Sequence, residues 1–272
     1  MILVLDINAL VGRWPFWRLK YEGFKGVLSL MDRAGIEKAA VTSLDSVFYL
    51  NYQNGNDEVA EISRLHPERF VPFVVVNPTF PLWKEHLNAY IKEYKAAGIK
   101  LHPDHHKYSL SGREVADVMK EARNLGLPVY IQTSIWDMRH HPGYCVVMET
   151  PILEVASAIK AYPENKIIVG GAKHFLARVR ELIQHAPESR NFYIETSGLG
   201  FFARERGSGE TLSLVNSIEW LAEAVGSSRL LFGTRMPLLI PEAGKSLVEK
   251  SKISSDDKER ILGKNAEELL KA

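Results

Sequence analysis

Eight short apolar runs, at 2–8, 39–43, 70–77, 99–102, 129–133, 167–171, 192–197 and 230–234, punctuate the 272 residues. They recur at intervals of roughly thirty residues, the length of one strand plus a crossover helix. Each is nearly continuous in Val, Ile, Leu and Phe rather than alternating, which is how strands buried on both faces read. Between them lie stripes of helical period. Trp83, Leu87, Tyr90, Ile91 and Tyr94 form one, Val115, Val118, Met119 and Ala122 a second, and Leu214, Ile218, Leu221 and Val225 a third. Ser254 or Ser255 is suited to cap a last helix that runs toward Leu269 and Leu270. Eight strands alternating with helices predict an α/β chain folded as a (β/α)8 TIM barrel. An open doubly wound sheet is the rival, and the strand count favours the barrel. No stretch reads as a linker, so residues 1–272 are expected to form one domain.

The run at 98–103, Gly-Ile-Lys-Leu-His-Pro, then takes on chemical meaning. Residues two apart in a strand share a face, so Lys100 and His102 both point into the barrel. His102 falls near the end where barrel enzymes do their chemistry. The loop-like segments 13–26, 134–150 and 201–210 each follow a strand and land on that same end. The middle one holds Asp137, Arg139, His140 and His141, side chains able to bind charge or move protons.

Composition narrows the partners. Lys and Arg number 34 against 33 Asp and Glu, a net charge of +1, which gives no global attraction to nucleic acid or to an anionic membrane. Cys145 is the sole cysteine, so no disulfide forms within the chain. An acid, Asp6, follows five residues after the start, too soon for a signal peptide, and no run reaches the ~18 apolar residues of a membrane span. A cytoplasmic protein is expected. The three glutamines, Gln53, Gln132 and Gln184, amid many charged residues suggest a thermophile. Gly244-Lys245-Ser246 mimics the end of a phosphate loop, but Leu239 stands where its first glycine belongs. Neither a Gly-x-Ser-x-Gly elbow nor a dinucleotide fingerprint occurs.

Read in order, LDINALVG at 5–12, GIKLHP at 98–103, LPVYIQT at 127–133, IIVGG at 167–171, YIETSG at 193–198, LFGTRMP at 231–237 and NAEELL at 265–270 form one series. It resembles the amidohydrolase-2 branch of the amidohydrolase superfamily over the whole chain. That resemblance implies a (β/α)8 barrel and a divalent metal such as zinc, held by a His-x-His pair on strand one, histidines ending strands five and six, and an aspartate ending strand eight. Here those positions carry Asn8 and Leu10, Gln132, Gly171 and Arg235. Leucine and glycine side chains offer no lone pair and arginine brings a repelling charge, so no metal is expected at the usual place.

An arginine in place of an anionic ligand turns a cation site into an anion site. The expected ligand is a small anionic molecule, most simply a carboxylate, bound by Arg235, Arg139, Gln132, Asn8, Arg13 and Trp14, with Lys173 and His174 nearby. Arg235 could instead pair with Asp6 or Glu195 as an internal replacement for the metal. Hydrolysis or decarboxylation without a metal would use His102 as general acid or base, Lys100 to hold negative charge and Asp137 as carboxylate base. A Schiff base on Lys100 is a further option. A relocated metal would draw on His102, His105, His106, Asp137 and His140, with Asp104 close in sequence. The alternative to an enzyme is a catalytically silent barrel that binds a ligand or a protein partner. Aromatic residues after strand one, Trp14, Phe16 and Trp17, allow a homodimer or roof the pocket.

Overall fold

In the amino-terminal half the chain runs β1 (Leu5–Val11), α1 (Gly23–Ala34), β2 (Lys38–Ser43), α2 (Asp45–Phe48), α3 (Gln53–Leu65), β3 (Phe70–Val75), α4 (Trp83–Tyr94), β4 (Gly98–Leu101), α5 (Pro103–His106) and α6 (Arg113–Asn124). It continues through β5 (Val129–Gln132), α7 (Ile152–Ala161), β6 (Ile167–Gly170), β7 (Phe192–Glu195) and β8 (Leu230–Leu231), and the last helix is Asn265–Lys271. The computed structural model describes residues 3–135, 148–171, 178–199 and 216–271.

All eight strands are parallel and ordered β1 to β8. Backbone hydrogen bonds from Ile7 N to Phe232 O (2.8 Å) and from Arg235 N to Asn8 O (2.7 Å) tie the last strand segment back to the first. The sheet is therefore a barrel rather than an open sheet, as the strand count predicted.

Strand alternation sorts side chains into two layers. Ile99 and Leu101 on β4, Val129 and Ile131 on β5, and Ile167 and Val169 on β6 join the outer layer against the helices. The residues between them face inward. Tyr130 and Ile168 thus pack in the barrel with Leu5, Ile7, Phe73 and Leu231, and Ala266 and Leu269 of the last helix close this inner layer. A third cluster, Leu10, Trp14, Leu44 and Ile135, covers the carboxyl ends of β1, β2 and β5. The predicted stripes behave as core faces: Val115, Val118, Met119 and Ala122 are the buried residues of α6, and Leu87 and Tyr90 those of α4. Ser254 caps its helix by accepting from Asp257 N at 3.1 Å.

The strand ends differ from expectation where side chains replace the ladder. β8 stops at Leu231 rather than at 234, because Gly233 N donates to Thr196 Oγ1 and Thr234 N to Asp6 Oδ1. β1 runs to Val11 rather than ending at 8, with a register shift between Asp6 and Ala9. His102 leaves β4 and becomes the residue before α5, since Pro103 opens that helix and His102 N donates to Tyr108 Oη at 3.0 Å.

Candidate active site

Inside the barrel, Lys100 is fully buried at the centre of a polar network. Its Nζ donates to Asn8 Oδ1 at 2.7 Å and lies 4.4 Å from the centre of the Tyr130 ring. Asn8 turns its Nδ2 to Tyr130 Oη at 2.9 Å and Glu195 Oε2 at 3.1 Å. Tyr130 Oη donates in turn to Glu195 at 2.8 Å, and Ser197 Oγ does so at 2.7 Å. Asp6 accepts from Asn8 N at 2.8 Å, Thr234 N at 3.0 Å and the Thr234 hydroxyl. A side chain at Gly233 would collide with Glu195, and one at Gly170 with Tyr130. Small residues at both positions make room for the network.

Burial sets the electrostatics. It pushes the Asp6 carboxyl up to about 7 against the hydrogen bond from Thr234. It draws the Lys100 ammonium down to about 7, aided by Arg235 and opposed by Glu195. Tyr130 is raised well above the usual phenol range, by burial first and then by the Glu195 charge.

The groups at the mouth are less completely engaged. His102 is fully buried and neither ring nitrogen has a hydrogen-bond partner. Burial, then the Lys100 charge, holds its imidazole well below the ordinary histidine range. One turn of α5 brings Asp104 and His105 back beside it, with His105 Nδ1 2.9 Å from Asp104 Oδ2. One ligand atom from each of His102, Asp104 and His105 can be chosen so that all three lie within 4.8 Å of one another. His106 points elsewhere. Its Nε2 lies 3.2 Å from Ser46 O, and burial takes its imidazole down to about 4.

Arg235 follows β8 with φ 57°, a left-handed conformation uncommon for a long side chain. It is 6% exposed, its Nη2 donates to the Gly171 carbonyl, and its Nε has no hydrogen-bond partner. The alternative that Arg235 pairs with Asp6 or Glu195 is not what the structure has. Those two carboxylates are occupied by Thr234, Asn8, Tyr130 and Ser197, so the guanidinium turns to a backbone carbonyl.

Of the remaining residues expected in the site, Gln132 is buried and donates to Ser134 O at 2.7 Å. Trp14 packs edge-on against Phe48 at 5.4 Å, and Phe48 packs against His105 at 5.2 Å, so the aromatic roof reaches the mouth. Arg13 is exposed, its backbone N–H held by Asp45, and is not gathered with the others. Asp137, Arg139, His140, Lys173 and His174 lie outside the described residues. The network also includes Tyr130 and Ser197, for which sequence reasoning gave no role. Tyr130 faces inward from β5 and Ser197 lies two residues beyond β7, and their shared partner Glu195 became readable only once the strands were paired.

An amidohydrolase family profile matches residues 19–272. The chain belongs to the amidohydrolase family. Comparison with curated protein sequences finds no match. Among solved structures, the chain is similar to a 5-carboxyvanillate decarboxylase from Novosphingobium aromaticivorans with manganese and 4-hydroxy-3-methoxy-5-nitrobenzoic acid. That pair has a TM-score of 0.75 at 14% identity, covering 100% of this chain and 96% of the other. A dihydroxybenzoic acid decarboxylase from Polaromonas with manganese and 2-nitroresorcinol gives 0.70 at 18% identity, covering 100% and 97%. A 2,6-dihydroxybenzoate decarboxylase with 2,6-dihydroxybenzoate gives 0.71 at 17% identity, covering both chains fully. At these identities the likeness is one of fold.

At the positions where the family resemblance implies metal ligands, the residues are otherwise engaged. The amide of Asn8 is committed to Lys100, Tyr130 and Glu195, Leu10 packs in the roof, and Gly171 offers a carbonyl that Arg235 already uses. The guanidinium of Arg235 repels a cation there.

Proposed function

We propose that this amidohydrolase-family chain hydrolyses or decarboxylates a small substrate bearing a carboxylate, bound at the mouth of the barrel, without a metal at the family's usual position. The observation that carries the reading is Arg235. It is a buried guanidinium in a left-handed backbone conformation, with one N–H group uncommitted, and strain of this kind collects at functional sites. A guanidinium so placed forks onto a carboxylate. Lys100 adds a second positive charge within its electrostatic reach. His102, neutral and with both nitrogens unengaged, either takes a proton in the reaction or coordinates an electrophile. Asp137 as base and Arg139 as clamp belong to the same proposal. Relatives in fold that are decarboxylases of dihydroxybenzoate and carboxyvanillate support hydroxylated aromatic acids as the first compounds to try.

The test is calorimetric titration of the full chain with a panel of aromatic and aliphatic carboxylates, repeated with Arg235→Met. Binding weakened about tenfold or more in the variant is expected. A wild-type chain that binds no carboxylate, or a variant that binds as well, overturns the reading. A catalytically silent barrel is the second reading, favoured by the closure of Asp6, Glu195 and Lys100 on Asn8, Tyr130, Thr234 and Ser197. Turnover of any bound carboxylate, lost in His102→Ala, decides for the enzyme.

The proposal extends to a cytoplasmic, single-domain protein from a thermophile that forms a homodimer. Among the described residues no helix is long and apolar enough to cross a membrane. Trp17, 42% exposed, offers apolar surface to a partner copy.

A further inference from the structure

We propose that the turn between β4 and α5 binds one divalent transition-metal cation through His102, Asp104 and His105. This goes beyond the carboxylate reading and stands without it. Two imidazoles and one carboxylate are a ligand set that zinc, manganese, iron and cobalt share, and three protein ligands leave positions open for water or substrate.

Three observations carry it. One ligand atom from each residue falls within 4.8 Å of the others, so small side-chain rotations bring all three onto one ion. Both ring nitrogens of His102 are buried with no hydrogen-bond partner, and buried polar groups in native proteins are nearly always engaged. The Asp104 side chain is itself completely buried, its Oδ1 has no hydrogen-bond partner, and a second, partly buried carboxylate, Glu149, lies within its electrostatic reach. A carboxylate buried away from water calls for a cation or donors beside it. Arg235 acts on Glu149 from the same mouth, whereas Asp104 has the His105 imidazole beside it, Nδ1 to Oδ2 2.9 Å.

Local structure presets the turn. The His102 backbone is fixed by Tyr108 Oη, Pro103 starts the helix without needing a hydrogen bond, and His105 returns three residues after His102 onto the same side. The Phe48 ring packs against His105 in a T-shaped pair, ring centres 5.2 Å apart. His106 is excluded from the ligand set by its contact with Ser46 O.

The test uses the full chain, stripped with EDTA and titrated separately with Mn(II), Zn(II) and Co(II), read by calorimetry and by elemental analysis after desalting. About one equivalent per chain is expected, as a three-ligand site would bind. Asp104→Asn and His105→Gln should each weaken binding about a hundredfold, while the surface control His66→Gln leaves it unchanged. The visible spectrum of the Co(II) form of the unaltered chain should depart from that of the free aqua ion, as imidazole ligation requires, a readout independent of how the variants fold. No uptake of any of the three metals overturns the proposal. So does stoichiometric uptake that survives both substitutions, or a Co(II) spectrum identical to that of the free aqua ion.

Discussion

Lys100 Nζ donates to Asn8 Oδ1 at 2.7 Å, inside the barrel and between strands β4 and β1. The pair joins residues 92 apart in sequence and places an internal cation beside the position where the amidohydrolase resemblance implied a metal-binding side chain. Removing the ammonium leaves Glu195 and Asp6 buried with less compensation. Lys100→Met is therefore expected to destabilise the chain by about 3 kcal/mol. Asn8→Leu, which takes away the acceptor of Lys100 and the donor to Tyr130 Oη and Glu195, should destabilise it by about 2 kcal/mol. Urea unfolding followed by circular dichroism measures both, and a loss under about 0.5 kcal/mol in either would show that the network is dispensable.

Glycine at 233 is required by Glu195. A Cβ there collides with that carboxylate, so Gly233→Ala should destabilise by about 2 kcal/mol or more. Gly244, inside the helix Pro241–Lys250, has no atom closer than 3.8 Å to such a Cβ. Gly244→Ala should accordingly stabilise by about 0.5–1 kcal/mol through helix propensity. Thermal melts of the two variants should move in opposite directions.

Asp6 makes stability depend on pH. Its folded carboxyl is raised from 3.8 to about 7 by burial, so the folded chain keeps a proton that the unfolded chain has released. The resulting stabilisation is fully present below about pH 4 and is lost as pH rises through about 7, with a slope no steeper than about 1.4 kcal/mol per pH unit. Asp6→Asn cannot release this proton. Subtracting its melting curve from that of the unaltered chain between pH 4 and pH 8 should reveal a decline toward neutrality, and a flat difference would falsify the shift.

Arg235 combines backbone strain with a charge at the mouth. Arg235→Gly relieves the left-handed conformation, for which glycine has no steric penalty, while deleting the guanidinium. Stability is expected to stay within about 1 kcal/mol of the original, and carboxylate affinity to fall about tenfold or more. Unfolding and binding measured on the same preparation test both halves. A variant that keeps its affinity would mean that the anion sits elsewhere.

Sequence by itself determined the barrel and the inward face of the strand that carries Lys100. Continuous apolar runs at a fixed interval admit few arrangements. Alternation along Gly98–Leu101 already separates Lys100 from Ile99 and Leu101, because the side-chain period of a strand is two. The Ser254 cap and the α6 stripe were equally local, and equally legible.

What Lys100 touches was decided by tertiary structure. Tyr130 stands opposite it only because of the β4–β5 register, Asn8 reaches it across the barrel and holds Glu195 as well, and Arg235 bonds to Gly171 while Thr234 holds Asp6. The same holds at the mouth. Four of the five residues from His102 to His106 offer metal-binding atoms, but one helical turn gathers His102, Asp104 and His105 and sends His106 to Ser46. Local periodicity fixes which face a residue occupies. Which partner meets it on that face depends on strand register and on long-range closure, and neither is encoded within reach of any single segment.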